Sequence, residues 1–213
     1  MQARLKFFWP VFVLLIGCSN YDDQLKQQAE ITGAAQAQRQ IDATNTDLET
    51  KSKAMQTDLD TRQRFYQSVA GTYEGLMDGG KGAYQKLHTR FTLVPSLPPY
   101  HTDRVRTLEE ITADLNNLHL SVEVVQWDDE TNAAFGCVFG NIQPDLTRGL
   151  IQLIAPDCPN AFTLWLGADH ASSANLASQL LNSKIMAVPA LTVEMDPTRA
   201  SEIYHFTVQK DPS

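Results

Sequence analysis

The sequence predicts an α+β protein, mainly β: a long N-terminal helix, then an antiparallel β-sandwich of about eight strands. Three observations carry this. Residues 21–68 hold no proline and a single glycine, Gly33. At about residue 69 the apolar period changes from seven residues to two. Beyond that point turn signals recur at short intervals through a stretch of about 140 residues. A small lipocalin-like β-barrel is the alternative architecture. The expected divisions are residues 1–17, 18–68 and 69–213.

Taken in order, the helix comes first. Ile41, Leu48, Met55, Arg62 and Val69 recur every seven residues, with Gln38, Asn45, Ser52, Leu59 and Tyr66 between them on the same seam. A repeat of this period on one side is the pattern of a coiled coil. Half of the seam is polar, which fits either a weak coiled coil between copies of the chain over residues 21–68 or a lone solvated spacer. Fully helical, roughly 48 residues would reach about 70 Å.

The domain follows. Val69 to Met77 reads as a strand, and Asp78-Gly79-Gly80 as a turn, because Asp and Gly tolerate positive φ. The next strand, from about Ala83 to Val94, places Leu87, Thr89, Phe91 and Leu93 on one face, and Pro95, Pro98 and Pro99 are expected to break it. Thr107-Leu108-Glu109-Glu110 has the form of a capping box, and Leu108, Ile111, Leu115 and Leu118 keep helical spacing behind it. Leu118, Leu120, Val122 and Val124 alternate as far as Trp127, and Asp128-Asp129 turns the chain. Further strands are expected at about Ala133–Ile142, Gly149–Ala155 and Asn160–Gly167, then a short helix or loop from Ser172 to Lys184. A last pair, Ala190–Met195 and Ile203–Lys210, is separated by Asp196-Pro197. The sandwich so predicted is loosely similar to C2 domains. Gly71-Thr72-Tyr73 resembles the Gly-x-Trp opening of the lipocalins with Tyr in place of Trp.

The first eighteen residues read as an address. Met1 to Lys6 is basic, Phe7 to Ile16 is an apolar run of ten residues with Pro10 inside it, and the run ends in Leu15-Ile16-Gly17-Cys18. Ten residues are too few to span a bilayer but suit a signal-peptide core. The ending resembles the bacterial lipobox. That resemblance implies cleavage before Cys18, lipid on its sulfur, and a life on the membrane outside the cytoplasm. In that family an Asp after the lipidated cysteine marks inner-membrane retention, so the resemblance, with Ser19 there instead, implies the outer membrane. Cys18-Ser19-Asn20 followed by Asp23-Gln24-Leu25 also resembles the major murein lipoprotein family, another lipid-anchored coiled coil. Here the chain runs on into a domain, so the cross-linking of that family to peptidoglycan is not implied.

Charge and cysteines fit this address. The net charge is −8, and residues 1–17 contain Arg4 and Lys6 but no acid, so 15 basic side chains face 25 acidic ones in the remainder. No basic cluster stands out, which argues against nucleic acid and against a polybasic contact with anionic lipid. With Cys18 acylated, Cys137 and Cys158 form an even pair suited to a disulfide in an oxidising compartment.

Candidate chemistry is thin. Asp128, Asp129, Asp145, Asp157, Asp169 and Asp196 fall in expected loops, where Asp is common for its turn chemistry and where calcium would need several of them to converge. His88, His101, His119, His170 and His205 show neither an H-x-H nor an H-E-x-x-H spacing, so no metal is assigned. Asp169, His170 and Ser172 are the best hydrolase candidates, without a Gly-x-Ser-x-Gly elbow. Trp127 and Trp165 read as packing residues. No catalytic residue and no cofactor is assigned. The expectation is a non-enzymatic envelope lipoprotein whose helix presents a β domain to an envelope partner. An apolar-ligand or lipid carrier and a secreted hydrolase are the alternatives.

Overall fold

The computed structural model describes residues 9–78, 86–99, 106–129, 134–182, 187–197 and 202–212, with side chains from residue 22 onward. The elements are α1 (Trp9–Val69), β1 (Gly71–Asp78), β2 (Lys86–Ser96), α2 (Leu108–Asn117), β3 (His119–Trp127), β4 (Ala134–Ile142), β5 (Leu150–Leu153), β6 (Asn160–Leu166), α3 (His170–Leu181), β7 (Ala190–Pro197) and β8 (Tyr204–Lys210). The expected turn at Gly79-Gly80 and the start of its following strand at Ala83 lie outside the described residues.

Two compact units divide the chain, residues 1–53 and residues 54–213. In the first, every side chain from residue 22 to residue 50 is exposed, Leu25, Ile31, Ile41 and Leu48 included. The helix there is held by its own backbone and by local links. Thr32, Thr44, Thr46 and Thr50 donate to carbonyls four residues back, Gln38 donates to Asp42, and Lys51 pairs with Asp47 at 2.7 Å. Exposed i,i+4 pairs of this kind contribute only tenths of a kcal/mol. Among the described residues no helix is long and apolar enough to cross a membrane.

The second unit starts earlier than the expected boundary at residue 69, because the last turns of α1 belong to it. Leu59, Phe65, Tyr66 and Val69 are fully buried and Met55 packs against the same core. The seven-residue stripe therefore serves two purposes along its length. Its C-terminal part is core of the β domain, and only its N-terminal part is exposed.

The eight strands form one antiparallel sheet in the order β4-β3-β2-β1-β8-β7-β6-β5. Chain neighbours are thus sheet neighbours throughout, except that the first strand pairs with the last and β4 and β5 are left as the two edges. The sheet is nearly closed on itself, the mainly β architecture expected from the alternating pattern. Its inward positions build one core: Leu87, Thr89, Phe91 and Leu93 of β2, Leu120, Val122 and Val124 of β3, Phe162 and Leu164 of β6, Val193 of β7 and Val208 of β8 are all buried. Phe162 meets Phe91 and Phe139 edge to face, at ring separations of 5.3 and 6.3 Å. One polar group of side chains shares this interior. Asn160 donates to Gln126 at 2.8 Å, and Gln126 donates to Thr89 at 3.0 Å and reaches the Met195 sulfur.

One proline behaves differently from expectation: Pro95 lies within β2, opposite Leu120. Pairing of β1 to β2 ends at Leu93, so Pro95 has a strand on one side only and its missing N–H is not needed on the other. Pro197 ends β7, and the pairing of β7 to β8 stops at Met195, as the expected break at Asp196-Pro197 requires. The capping box at α2 forms as expected. Thr107 Oγ1 accepts from Glu110 N at 3.2 Å and the Glu110 carboxylate accepts from Thr107 N at 2.9 Å. Residues 170–181 resolve the choice of helix or loop in favour of helix.

The junction of β1 with β8 is close. A Cβ on Gly75 would lie 2.5 Å from the Thr207 carbonyl oxygen and 2.8 Å from the Val208 side chain. Gly71, at φ +132°, leaves room for the Lys210 side chain, whose ammonium donates to the Ala70 carbonyl and sits 5.6 Å from the centre of the Tyr73 ring. Burial holds the Lys210 ammonium below its ordinary pKa and pushes the Tyr73 phenol well above its own. Tyr73 is fully buried and its hydroxyl donates to the Val69 and Val188 carbonyls.

Cys137 of β4 and Cys158, in the connection from β5 to β6, stand at disulfide distance, with Cα atoms 5.9 Å apart. They join one edge strand to the hairpin that carries the other. A cross-link over this sequence separation of 21 residues contributes about 3 kcal/mol in the chain-entropy account. Urea unfolding with and without reductant measures it. Reduction, or the pair Cys137→Ser and Cys158→Ser, is expected to lower the unfolding free energy by about that amount, and equal stability in both states would contradict a stapling role.

Candidate functional site

The outward face of β6, β7 and β8 is where chemistry-bearing side chains meet. Alternation along each strand decides which residues appear there. Phe162, Leu164 and Leu166 point into the core from β6, which turns Thr163 and Trp165 outward. On β7 the inward Val193 and Met195 leave Glu194 outward, and on β8 the inward Phe206 and Val208 leave His205 and Thr207 outward. Register then sets the neighbours: Glu194 lies directly opposite His205 on one side and Thr163 on the other, and Trp165 lies opposite Thr192.

A third donor comes from α3. Asp169 caps this helix by accepting from Ser172 N at 2.7 Å, and the Ser172 hydroxyl donates back to the Asp169 carbonyl at 3.1 Å. Ser173, fully buried, accepts from Leu166 N at 3.1 Å and donates toward the Gly149 and Arg148 carbonyls, which ties the start of α3 to β5 and β6. The close fit needs Gly149 at φ +65°, where a Cβ would meet Ser173 at 2.6 Å. So anchored, the first residue of α3, His170, stacks on Trp165 at 5.0 Å and faces His205 at 5.8 Å between ring centres.

His170, Glu194 and His205 thus converge, with one ligand atom of each within 4.8 Å of the others. His170 and His205 are exposed and Glu194 is half-buried. Two imidazoles and a carboxylate are a donor set for borderline divalent ions and for proton transfer. Among the described residues this is the one such cluster of three or more His, Cys, Asp or Glu side chains. Sequence spacing did not reveal it, since the members stand 24 and 11 residues apart on three different elements.

The other sequence candidates fall elsewhere. Of Asp169, His170 and Ser172, the aspartate carboxylate and the serine hydroxyl are engaged in the helix cap, while the histidine ring turns to Trp165 and His205. None of the six loop aspartates belongs to the cluster. Asp145 folds its own loop: its carboxylate accepts from the Thr147 hydroxyl and from the Thr147 and Arg148 amides, and these bonds hold it below the usual carboxylate range. Asp129 pairs with His88 at 2.9 Å, and His88 stacks on Trp127 at 5.1 Å. Cys18 lies in the helical backbone of α1 but its side chain is outside the described residues. Comparison with protein-family models, with curated proteins and with solved structures gave no match to this chain.

The cap that sets His170 in place is open to a direct test. Asp169→Ala removes the acceptor for Ser172 N and is expected to cost about 1 kcal/mol in denaturant unfolding. A stability within a few tenths of wild type would show that Ser173 and the packing of α3 suffice without the cap.

Proposed function

We propose that the chain is a lipid-anchored envelope lipoprotein without an enzymatic role, cut before Cys18, acylated on that sulfur and retained at the outer membrane. The observation that carries the reading is Leu15-Ile16-Gly17-Cys18 placed directly behind a basic segment and a ten-residue apolar run. Two further features support it. Cys137 and Cys158 stand within reach of each other in the β domain, which leaves Cys18 as the third cysteine of the chain. Residues 22–50 bury no side chain, as a spacer between anchor and domain requires. From Cys18 to Lys53 that helix would reach roughly 50 Å.

In this reading the spacer presents the β domain to a partner in the envelope. The exposed Leu25, Ile31, Ile41 and Leu48 are where a second copy of the chain would pack, since an isolated helix so polar gains little from its surroundings. The nearly closed sheet also suits a carrier of an apolar ligand. Phe91, Phe139 and Phe162, packed edge to face inside it, favour presentation over carriage.

Fractionation of cells carrying wild type and Cys18→Ala, followed by cross-linking of the membrane fraction, tests both parts. Wild type is expected in the membrane with fatty acyl chains on Cys18 by mass spectrometry and in cross-linked dimers or higher species, and the variant outside that fraction. A wild-type product without fatty chains would end the anchor, and monomers alone would end the self-association.

A further inference from the structure

The structure assigns to the outer face of β6–β8 a site for one zinc ion, held by His170, Glu194 and His205. The argument starts from donor chemistry. Two imidazole nitrogens and one carboxylate oxygen are the protein ligands of a three-coordinate zinc site that keeps its fourth position for water. They suit zinc and its transition-metal neighbours, whereas calcium and magnesium prefer shells made of oxygen alone.

Geometry comes next. Zinc binds nitrogen and oxygen at about 2.0–2.2 Å, so two ligands of one ion lie about 3.4 Å apart in a tetrahedron. The three donors already lie within 4.8 Å of one another. The gap of about an ångström closes by small side-chain rotations, for which both histidines are exposed. The backbones that carry the donors are fixed. Glu194 and His205 are directly opposed across the β7–β8 ladder, and His170 is set by the Asp169 cap and the buried Ser173.

A second observation concerns the floor of the site. Trp165 lies under the His170 ring, stacked with planes 29° apart, and its indole N–H is buried without a hydrogen-bond partner among the described residues. An aromatic floor of this kind limits the orientations of the imidazole and shields one side of it from water, as the surroundings of metal-binding histidines do. With three protein ligands, the fourth position opens to solvent on the exposed side. The bound ion would therefore carry a water that a partner's side chain can replace. The assignment does not depend on the lipid anchor.

The test uses the full-length chain in detergent, stripped of metal and titrated calorimetrically with zinc chloride. The expected result is saturable binding of one ion per chain, a change in tryptophan emission that Trp165→Phe abolishes, and no competition from calcium. Glu194→Gln and His205→Ala are each expected to weaken zinc at least tenfold, about the loss that even an outer-shell partner causes. His119→Ala, outside the cluster, serves as the control and is expected to bind as wild type does. Both site residues lie on the outer face, so the variants keep the wild-type circular dichroism. Absence of saturable binding, or equal affinity in wild type, Glu194→Gln and His205→Ala, would overturn the assignment.

Discussion

The pairing of the first strand with the last is the constraint on which the domain depends. Without it, β1–β4 and β5–β8 would be two separate four-stranded meanders, each with its apolar face open. Joined, they share one interior in which Tyr73, Phe91, Phe139, Phe162 and Val208 are all buried. The junction is made from few ladder positions, Tyr73 opposite Lys210 and Glu74 opposite Gln209. It is reinforced from the side. Asp211 N donates to the Thr72 carbonyl at 2.9 Å, Lys210 N donates to the Pro189 carbonyl at 2.8 Å, and Val188 N donates to the Ser68 carbonyl at 3.1 Å. Gly75 permits the approach because a side chain there would strike the backbone of β8. The opposite seam, between the edges β4 and β5, is spanned by the cysteine pair instead of a ladder.

Much of this architecture was legible because short-range physics writes it plainly. The β2 face of Leu87, Thr89, Phe91 and Leu93 is a pure period-2 signal, and the Thr107–Glu110 box is a local exchange of two hydrogen bonds. The seven-residue stripe of α1 was visible too, but its use was not. Met55, Leu59, Tyr66 and Val69 look like a seam for another helix until the sheet is folded against them. Apolar periodicity states that a face will be covered and leaves open what covers it. Pro95 misled for a related reason: whether a proline breaks a strand depends on how many neighbours flank it, which is a property of the sheet.

The cluster of His170, Glu194 and His205 was the least legible feature. Alternation alone puts Glu194 and His205 on the same face of a hairpin, once the Met195–Tyr204 pairing is known. That much could have been inferred from the spacing around Asp196-Pro197. The arrival of His170 could not, because it depends on α3 folding back over β6 and on Ser173 reaching the carbonyls of residues 148 and 149. An anchor read from Cys18 and a metal site read from the sheet are independent of each other.

The closure of the sheet can be measured most directly by native-state amide hydrogen exchange in β8 and just beyond it. If the β1–β8 junction forms, the amide of Asp211, which donates to the Thr72 carbonyl, exchanges as slowly as those of Leu164 and Val193 in the middle of the sheet, although it lies beside the C-terminus. Exchange at the rate of a fraying terminus, with β6 and β7 still protected, would show that the two meanders are not joined through β1 and β8.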